Sequence, residues 1–268
     1  MKDKVVIITG GTSGIGRALA EEFGSRGSKI FITGRNGDQL HKTISELKDK
    51  RIVIEGCISD VGVQEDNRRM VERAIEKFGT IDVLINNAGI SMRALFEEVD
   101  FAVIKKVMDI NFYGVLYATK YCLPEILKNK GSVVGISSIA GYRGLPGRVG
   151  YSASKFALNG FLEVLRTEYL KRGVHVLTAC PGFTSSGIRK SALTKDGKQQ
   201  GESPRREEEM MSAEECAHHI YRATVRRKRS IVLTPQGKLT VFLNKWFPSW
   251  VDKMVYNVMA KEKNAPIT

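Results

Sequence analysis

Short apolar runs return at intervals along the chain, separated by longer stretches of helical period, and this alternation constrains the fold more than any other feature. The runs are Val5 to Thr9, Ile30 to Thr33, Ile52 to Cys57, Val83 to Asn86, Ser132 to Ser137, Val174 to Ala179 and Ile231 to Thr234. Continuous apolar strands are buried on both faces, and parallel neighbours need crossovers, which the helical stretches supply. The expectation is an α/β fold with a single doubly wound parallel sheet of about seven strands and helices on both faces.

The pattern breaks after Pro181. Lys195 to Arg206 is polar and charged with no periodic apolar face, so it reads as a loop, within a mobile segment of roughly 183–211 that would border a substrate. Order resumes at Ser212, where Ser followed three residues later by Glu215 makes a capping box for a helix towards Arg226. The sheet-forming part is expected over 1–235. From 236 to 268 the chain reads as an amphipathic helical extension, with Pro248 opening the second of two short helices.

Composition narrows the classes. With 268 residues, 42% hydrophobic, four cysteines and 7 prolines, the chain is neither collagen-like, disulfide-stapled nor wholly disordered. Cys57, Cys122, Cys180 and Cys216 are scattered, which suits a reducing compartment. No apolar run reaches the about 18 residues of a spanning helix, and the N-terminus lacks a signal-peptide core, so a cytoplasmic location is expected. The net charge of +13, from 42 Lys and Arg against 29 Asp and Glu, favours anionic ligands or surfaces.

After the first strand comes Thr9-Gly10-Gly11-Thr12-Ser13-Gly14-Ile15-Gly16, then the helix-forming Arg17 to Phe23. Strand, glycine turn and helix in that order bring backbone amides to a pyrophosphate at the positive end of a helix. The spacing departs from Gly-x-Gly-x-x-Gly. It resembles the turn of the short-chain dehydrogenase/reductase family, and the resemblance continues in order through Asn86-Asn87-Ala88-Gly89, Asn111, Ser138, Tyr151-Ser152-Ala153-Ser154-Lys155 and Pro181-Gly182. It covers about Lys4 to Ser186 and implies a Rossmann-type sheet binding a nicotinamide dinucleotide.

The end of the second strand discriminates the two nicotinamide cofactors, because an acidic residue there binds a free ribose hydroxyl and repels a phosphate. Here it reads Thr33-Gly34-Arg35-Asn36, with the nearest carboxylate at Asp38. Arg35 offers a planar fork suited to a phosphate, so NADP(H) is the expected cofactor. The resemblance implies that Gly10, Thr12, Ser13, Gly14, Ile15 and Gly16 cradle the pyrophosphate. It implies further that Asp60 and Val61 hold the adenine and that Asn87, Ala88 and Gly89 run along its ribose. After Pro181 and Gly182, either Thr184 or Ser186 would contact the carboxamide.

Tyr151 and Lys155 are four residues apart, which on a helix puts them on one face. An ammonium beside a phenol lowers the phenol's pKa from about 10 towards neutrality. Ser138 lies upstream at a strand end, the edge where α/β ligands bind, with Ser137 as an alternative hydroxyl. The resemblance makes Tyr151 the general acid of carbonyl reduction and gives Lys155 the phenol and the nicotinamide ribose. It gives Ser138 the substrate oxygen and makes Asn111 the residue that kinks its helix and holds a water linked to the lysine. No metal is required, and the four histidines form no ligand cluster.

The small-molecule partner is a ketone or alcohol. The C-terminal apolar stripe from Phe242 to Met259 contains both tryptophans and is bordered by Lys245, Lys253 and Lys261. It is suited to packing on the substrate loop, on another subunit or, over 242–261, on an anionic membrane surface. Its style resembles the branch reducing lipid and steroid ketones, such as 3-ketosphinganine reductases, and a long-chain 3-keto lipid is the first expectation. The alternatives are a hydroxysteroid or general carbonyl reductase, or a non-catalytic NADP-binding sensor. The basic cluster Arg226 to Arg229 suits a helix C-terminus, so no nucleic acid partner is expected. The resemblance implies a homodimer or homotetramer assembled through helices around Phe101 to Leu127 and Tyr151 to Arg172.

Overall fold

Val6 and Ile8 bury on one face of the sheet and Ile7 on the other; Ile30 and Ile32 oppose Phe31, Val134 opposes Val133, and Leu177 opposes Val176. A strand covered on both sides requires this, because alternate side chains enter different cores. In the computed structural model, which describes residues 1–267, seven strands form one sheet. They are β1 (Val5–Ile8), β2 (Lys29–Gly34), β3 (Ile54–Ile58), β4 (Val83–Asn86), β5 (Ser132–Ile136), β6 (His175–Cys180) and β7 (Ser230–Val232). All neighbours are parallel, in the order β3-β2-β1-β4-β5-β6-β7. The order reverses between β1 and β4, and that switch point opens a crevice at the strands' carboxyl ends.

Helices α1 (Gly14–Gly24), α2 (Gly37–Asp49) and α3 (Gln64–Phe78) link the first four strands. Then α4 (Phe101–Met108), α5 (Gly114–Lys128) and α6 (Val149–Glu168) flank β5, and α7 (Ala213–Val225) precedes β7. Leu19 and Phe23 of α1, Leu40 and Leu47 of α2, and Ile220 of α7 fill one core. Met70 of α3, Val115 and Ile126 of α5, and Leu158 and Leu162 of α6 fill the other. Each such leucine, truncated to Ala, would cost about 2–5 kcal/mol.

Three expectations are adjusted by the structure. The segment 101–127 is interrupted, because Asp109–Tyr113 forms a π-turn in which the Gly114 amide bonds to the Asp109 carbonyl. The last strand ends at Val232, and Thr234 (φ 65°) caps α8 (Pro235–Trp246) by accepting from the Gly237 amide at 3.1 Å. The segment 190–201 is a small hairpin, with Thr194 N to Lys198 O at 2.8 Å and Gln200 N to Ala192 O at 2.8 Å. Its turn is Asp196-Gly197, with Gly197 at φ +81°, the chemistry that closes hairpins.

The Ser212 cap forms as expected, accepting from the Glu215 amide at 3.0 Å. Pro248 opens α9 (Pro248–Ala260), so the C-terminal stripe does form two short helices. The stripe divides: Val251, Val255 and Met259 bury against Leu145 and Leu243, while Phe242, Trp246, Phe247 and Trp250 stay exposed. The basic cluster at the end of α7 is partly tied down, with Arg227 donating to the Lys130 and Gly173 carbonyls. Among the described residues no helix is long and apolar enough to cross a membrane.

Candidate active site

The turn after β1 is built from conformations that side chains resist. Gly10 and Gly14 have φ of +64° and +49°, and a Cβ on Gly16 would lie 2.1 Å from the Gly10 carbonyl oxygen. Asn87, just beyond β4, locks the turn by donating to the Thr9 and Gly10 carbonyls at 2.9 and 3.0 Å. In return the Thr9 hydroxyl accepts from the Asn87 and Ala88 amides at 3.0 and 3.1 Å. The N-cap of α1, Ser13, makes no side-chain cap, so the first amides of the helix offer donors to an anion. Donor-rich and closely shaped, this cradle fits a pyrophosphate.

The turn opens into a cavity of about 690 Å³ along the carboxyl edge of the sheet. Gly10, Thr12, Ser13, Gly14, Ile15 and Gly16 line it after β1, Arg35 after β2, and Asp60 and Val61 after β3. Asn87, Ala88 and Gly89 line it after β4, Ser138 after β5, and Pro181, Gly182, Thr184 and Ser186 after β6. Tyr151 and Lys155 enter from α6. Arg35 is exposed and makes no hydrogen bond or ion pair with a described residue, and Asp38 stays outside the wall. Thr184 is buried with its hydroxyl on the Gly182 carbonyl at 3.3 Å, whereas Ser186 stands over the glycine turn.

Asn111 is fully buried behind the wall, within the π-turn. Its Oδ1 accepts from the Ile90 amide at 2.8 Å, and its Nδ2 donates to the Ile90 carbonyl at 2.9 Å and the Ser154 hydroxyl at 3.0 Å. The helix is interrupted at Asn111 by this π-turn, which widens a helix by one residue.

Ser137 and Ser138 separate clearly. Ser137 donates to Asn159 Oδ1 at 2.6 Å, while Ser138 caps a short turn by accepting from the Ala140 amide at 3.1 Å and lines the cavity with Tyr151. The expected acidification of the phenol by Lys155 is not what the structure displays. Burial pushes the Tyr151 phenol above its usual value, opposed by the Ser138 hydroxyl and the guanidiniums of Arg148 and Arg189. The Lys155 ammonium lies 5.7 Å from the Tyr151 ring centre and donates instead to the Ile136 carbonyl at 2.8 Å. Burial pulls that ammonium down to about 8. Four residues of spacing place the pair on one face, but the β5 carbonyl takes the lysine's hydrogen bond.

Arg148 and Arg189 also line the cavity and are absent from the sequence-derived set. Arg148 stands one turn before Tyr151, a spacing that could have revealed it. Arg189 had no such signal. Arg148 Nη2 donates to Glu262 at 3.0 Å, and the same carboxylate receives Arg205 Nε at 2.7 Å and Arg93 Nη2 at 3.5 Å. Arg189 Nη2 donates to the Thr184 carbonyl at 2.7 Å and to Glu207 at 3.3 Å.

A family profile described as short chain dehydrogenase matches residues 4–197. The chain belongs to the short chain dehydrogenase family. Among curated members of this oxidoreductase family, the mouse (Mus musculus) "Dehydrogenase/reductase SDR family member 7B" is 31% identical, over 99% of this chain and 84% of that protein. An "11-beta-hydroxysteroid dehydrogenase A" from Arachis hypogaea is 33% identical, over 94% of this chain and 75% of that protein. Among solved structures, a short chain dehydrogenase/reductase from Burkholderia phymatum in complex with NAD superposes with a TM-score of 0.83 at 24% identity, over 93% of this chain and 95% of that one. A single-substitution variant of the actinorhodin polyketide ketoreductase with NADPH is 31% identical with a TM-score of 0.67, over 69% of this chain and 74% of that one. Structures with either cofactor thus resemble this short chain dehydrogenase.

Proposed function

We propose that this short chain dehydrogenase is an NADP(H)-dependent carbonyl reductase that interconverts a ketone and a secondary alcohol, with a long-chain lipid ketone as the substrate class. The observation that carries the reading is the convergence of Ser138, Tyr151 and Lys155 on the wall of the cavity that begins at the glycine turn. When bound, the dinucleotide supplies a hydride from the nicotinamide to the carbonyl carbon. Tyr151 then gives its hydroxyl proton to the carbonyl oxygen, and Ser138 donates a hydrogen bond to that oxygen as charge develops. A phenol whose pKa burial raises is protonated at neutral pH, which suits proton donation; alcohol oxidation, which needs the phenolate, gains as pH rises. Lys155 lies deep enough to hold the nicotinamide ribose, and Asn111 positions α6 through Ser154.

The choice of NADP(H) rests on Arg35, a guanidinium without a partner among the described residues that lines the cavity at the end of β2. Thr12 and Ser13 add hydroxyls rather than a second cation. The 31% identical ketoreductase structure with NADPH supports the same reading. With the Thr184 hydroxyl occupied, Ser186 is the better candidate for the carboxamide. The wall near Tyr151 includes Ile90, Leu145, Phe183 and Leu193, an apolar surface suited to an acyl chain.

Two accessory proposals follow from exposed apolar groups. Phe101 of α4, Tyr113 of the π-turn, and Phe156 and Val164 of α6 are exposed on the segments expected to pair subunits in a homodimer or homotetramer. Phe242, Trp246, Phe247 and Trp250, with Lys245 over the Trp246 ring, suit peripheral contact with an anionic bilayer from a cytoplasmic position.

The test is NADPH oxidation across ketones from small carbonyls to 3-ketosphinganine and ketosteroids, with NADH in parallel. Tyr151→Phe should keep NADPH binding and abolish turnover. Equal rates with NADH would remove the Arg35 argument, and full turnover by Tyr151→Phe would remove the mechanism.

A further inference from the structure

We propose that the substrate of this reductase carries an anionic group, a carboxylate or a phosphate monoester, held beside Tyr151 by Arg148 and Arg189. The inference rests on the carbonyl-reductase reading and adds the charge of the molecule reduced.

Four guanidiniums, those of Arg93, Arg148, Arg189 and Arg205, share two carboxylates, Glu262 and Glu207, and two of the four, Arg148 and Arg189, line the cavity. Arg148 is 9% exposed and lines the cavity, yet its buried Nη1 has no hydrogen-bond partner among the described residues. Arg189 also lines the cavity, and its buried Nε likewise has no partner among them. Buried polar groups are nearly always paired, and a guanidinium is the side chain whose fork matches a carboxylate or phosphate. One nitrogen of each is fixed, Arg148 Nη2 by Glu262 and Arg189 Nη2 by Glu207 and the Thr184 carbonyl. Arginines held in this way keep their charge at the cavity wall at little further cost in order.

The positive excess has a second consequence. Arg148 and Arg189 line the same cavity as Tyr151, and their charges lower the pKa of its phenol, so an anion held by them would stand near the reacting carbonyl. An ammonium there would be repelled. 3-Ketosphinganine, with its amine beside the ketone, is therefore expected to be a poor substrate, and an acidic lipid ketone a good one.

The experiment compares matched ketones with the full chain and NADPH: 4-oxopentanoate against its methyl ester, and hydroxyacetone phosphate against hydroxyacetone. The anionic member of at least one pair should show kcat/KM tenfold or more above its neutral partner, and the pair that discriminates identifies carboxylate or phosphate. Arg148→Met should cut that ratio roughly ten- to hundredfold, mainly through KM, and Arg148→Lys should restore part of it. Arg189→Met, which leaves Glu262 paired, provides the same reading should Arg148→Met fold poorly. Neutral members matching the anionic ones in both pairs, or variants lowering both members equally, would overturn the proposal. Absence of any ketone turnover would refute the carbonyl-reductase reading instead. In that event calorimetric binding of 4-oxopentanoate and of hydroxyacetone phosphate to the NADP⁺-loaded protein still decides the subsite: binding weakened tenfold by Arg189→Met upholds it, and no binding by the native protein rejects it.

Discussion

Glu262→Gln isolates a buried carboxylate on which three guanidiniums converge. The Glu262 side chain is 2% exposed and receives Arg205 Nε at 2.7 Å, Arg148 Nη2 at 3.0 Å and Arg93 Nη2 at 3.5 Å. Breaking a buried ion pair by removing one partner costs about 3–5 kcal/mol, because the remaining charge is left uncompensated. The amide oxygen keeps one acceptor, so the lower end, about 3 kcal/mol, is expected. At about 2–4 °C per kcal/mol for a chain of this size, the melting temperature should fall by about 6–12 °C. Acid sharpens the test. Burial alone would raise the Glu262 pKa, but Arg148 and Arg205 hold it below the usual 4.5. Its stabilising share is thus complete above the unfolded value and is lost as pH falls through the folded one. Thermal melts followed by circular dichroism should show the gap between native and variant proteins closing in acid, and hydrogen exchange should rise over 236–267. A variant melting within two degrees or so of the native protein at neutral pH would refute the reasoning.

Arg35→Ala should raise the KM for NADPH roughly ten- to hundredfold, the value of a charge-assisted hydrogen bond, while the KM for NADH changes little; a parallel rise in both would reject the phosphate role. Gly16→Ala puts a methyl 2.1 Å from the Gly10 oxygen and 2.4 Å from Asn87 Nδ2, so α1 must retreat. About 1–3 kcal/mol of stability and most NADPH affinity should go with it, and fluorescence titration giving native affinity would contradict that. Lys155 is pulled by burial from 10.5 to about 8, so between these values the unfolded chain holds more protons at this site and stability rises with pH. Urea denaturation should find the native protein gaining on Lys155→Met across that window by as much as about 3 kcal/mol; a constant difference would be evidence against it.

The sheet was legible because the central strands are runs of β-branched or apolar residues whose two faces both have a core to enter, as Ile7 and Ile8 do. The glycine turn was equally open to reading, since Gly10, Gly14 and Gly16 are required by backbone angle or by close approach. Less accessible were properties that depend on distant chain segments meeting. Helical spacing placed Lys155 beside Tyr151, but the carbonyl of Ile136 on β5 takes the lysine's hydrogen bond. Arg148 and Glu262 are far apart in the chain and meet only when α9 packs over Leu145. The hairpin over 190–201 was visible in Asp196-Gly197, although the surrounding charges made the segment read as loop.

The π-turn at Asp109–Tyr113 shifts the phase between two buried stripes. On α4, Val103 and Val107 face Met92 and Leu193 beside the substrate end; on α5, Val115, Cys122 and Ile126 face the sheet. One surplus residue is absorbed in the wider turn, and deleting it would let the turn close to an ordinary α-turn and draw Asn111 away from Ile90 and Ser154. Length at this point is therefore as tightly constrained as identity, and a one-residue deletion here should damage the protein more than most substitutions in the same helix.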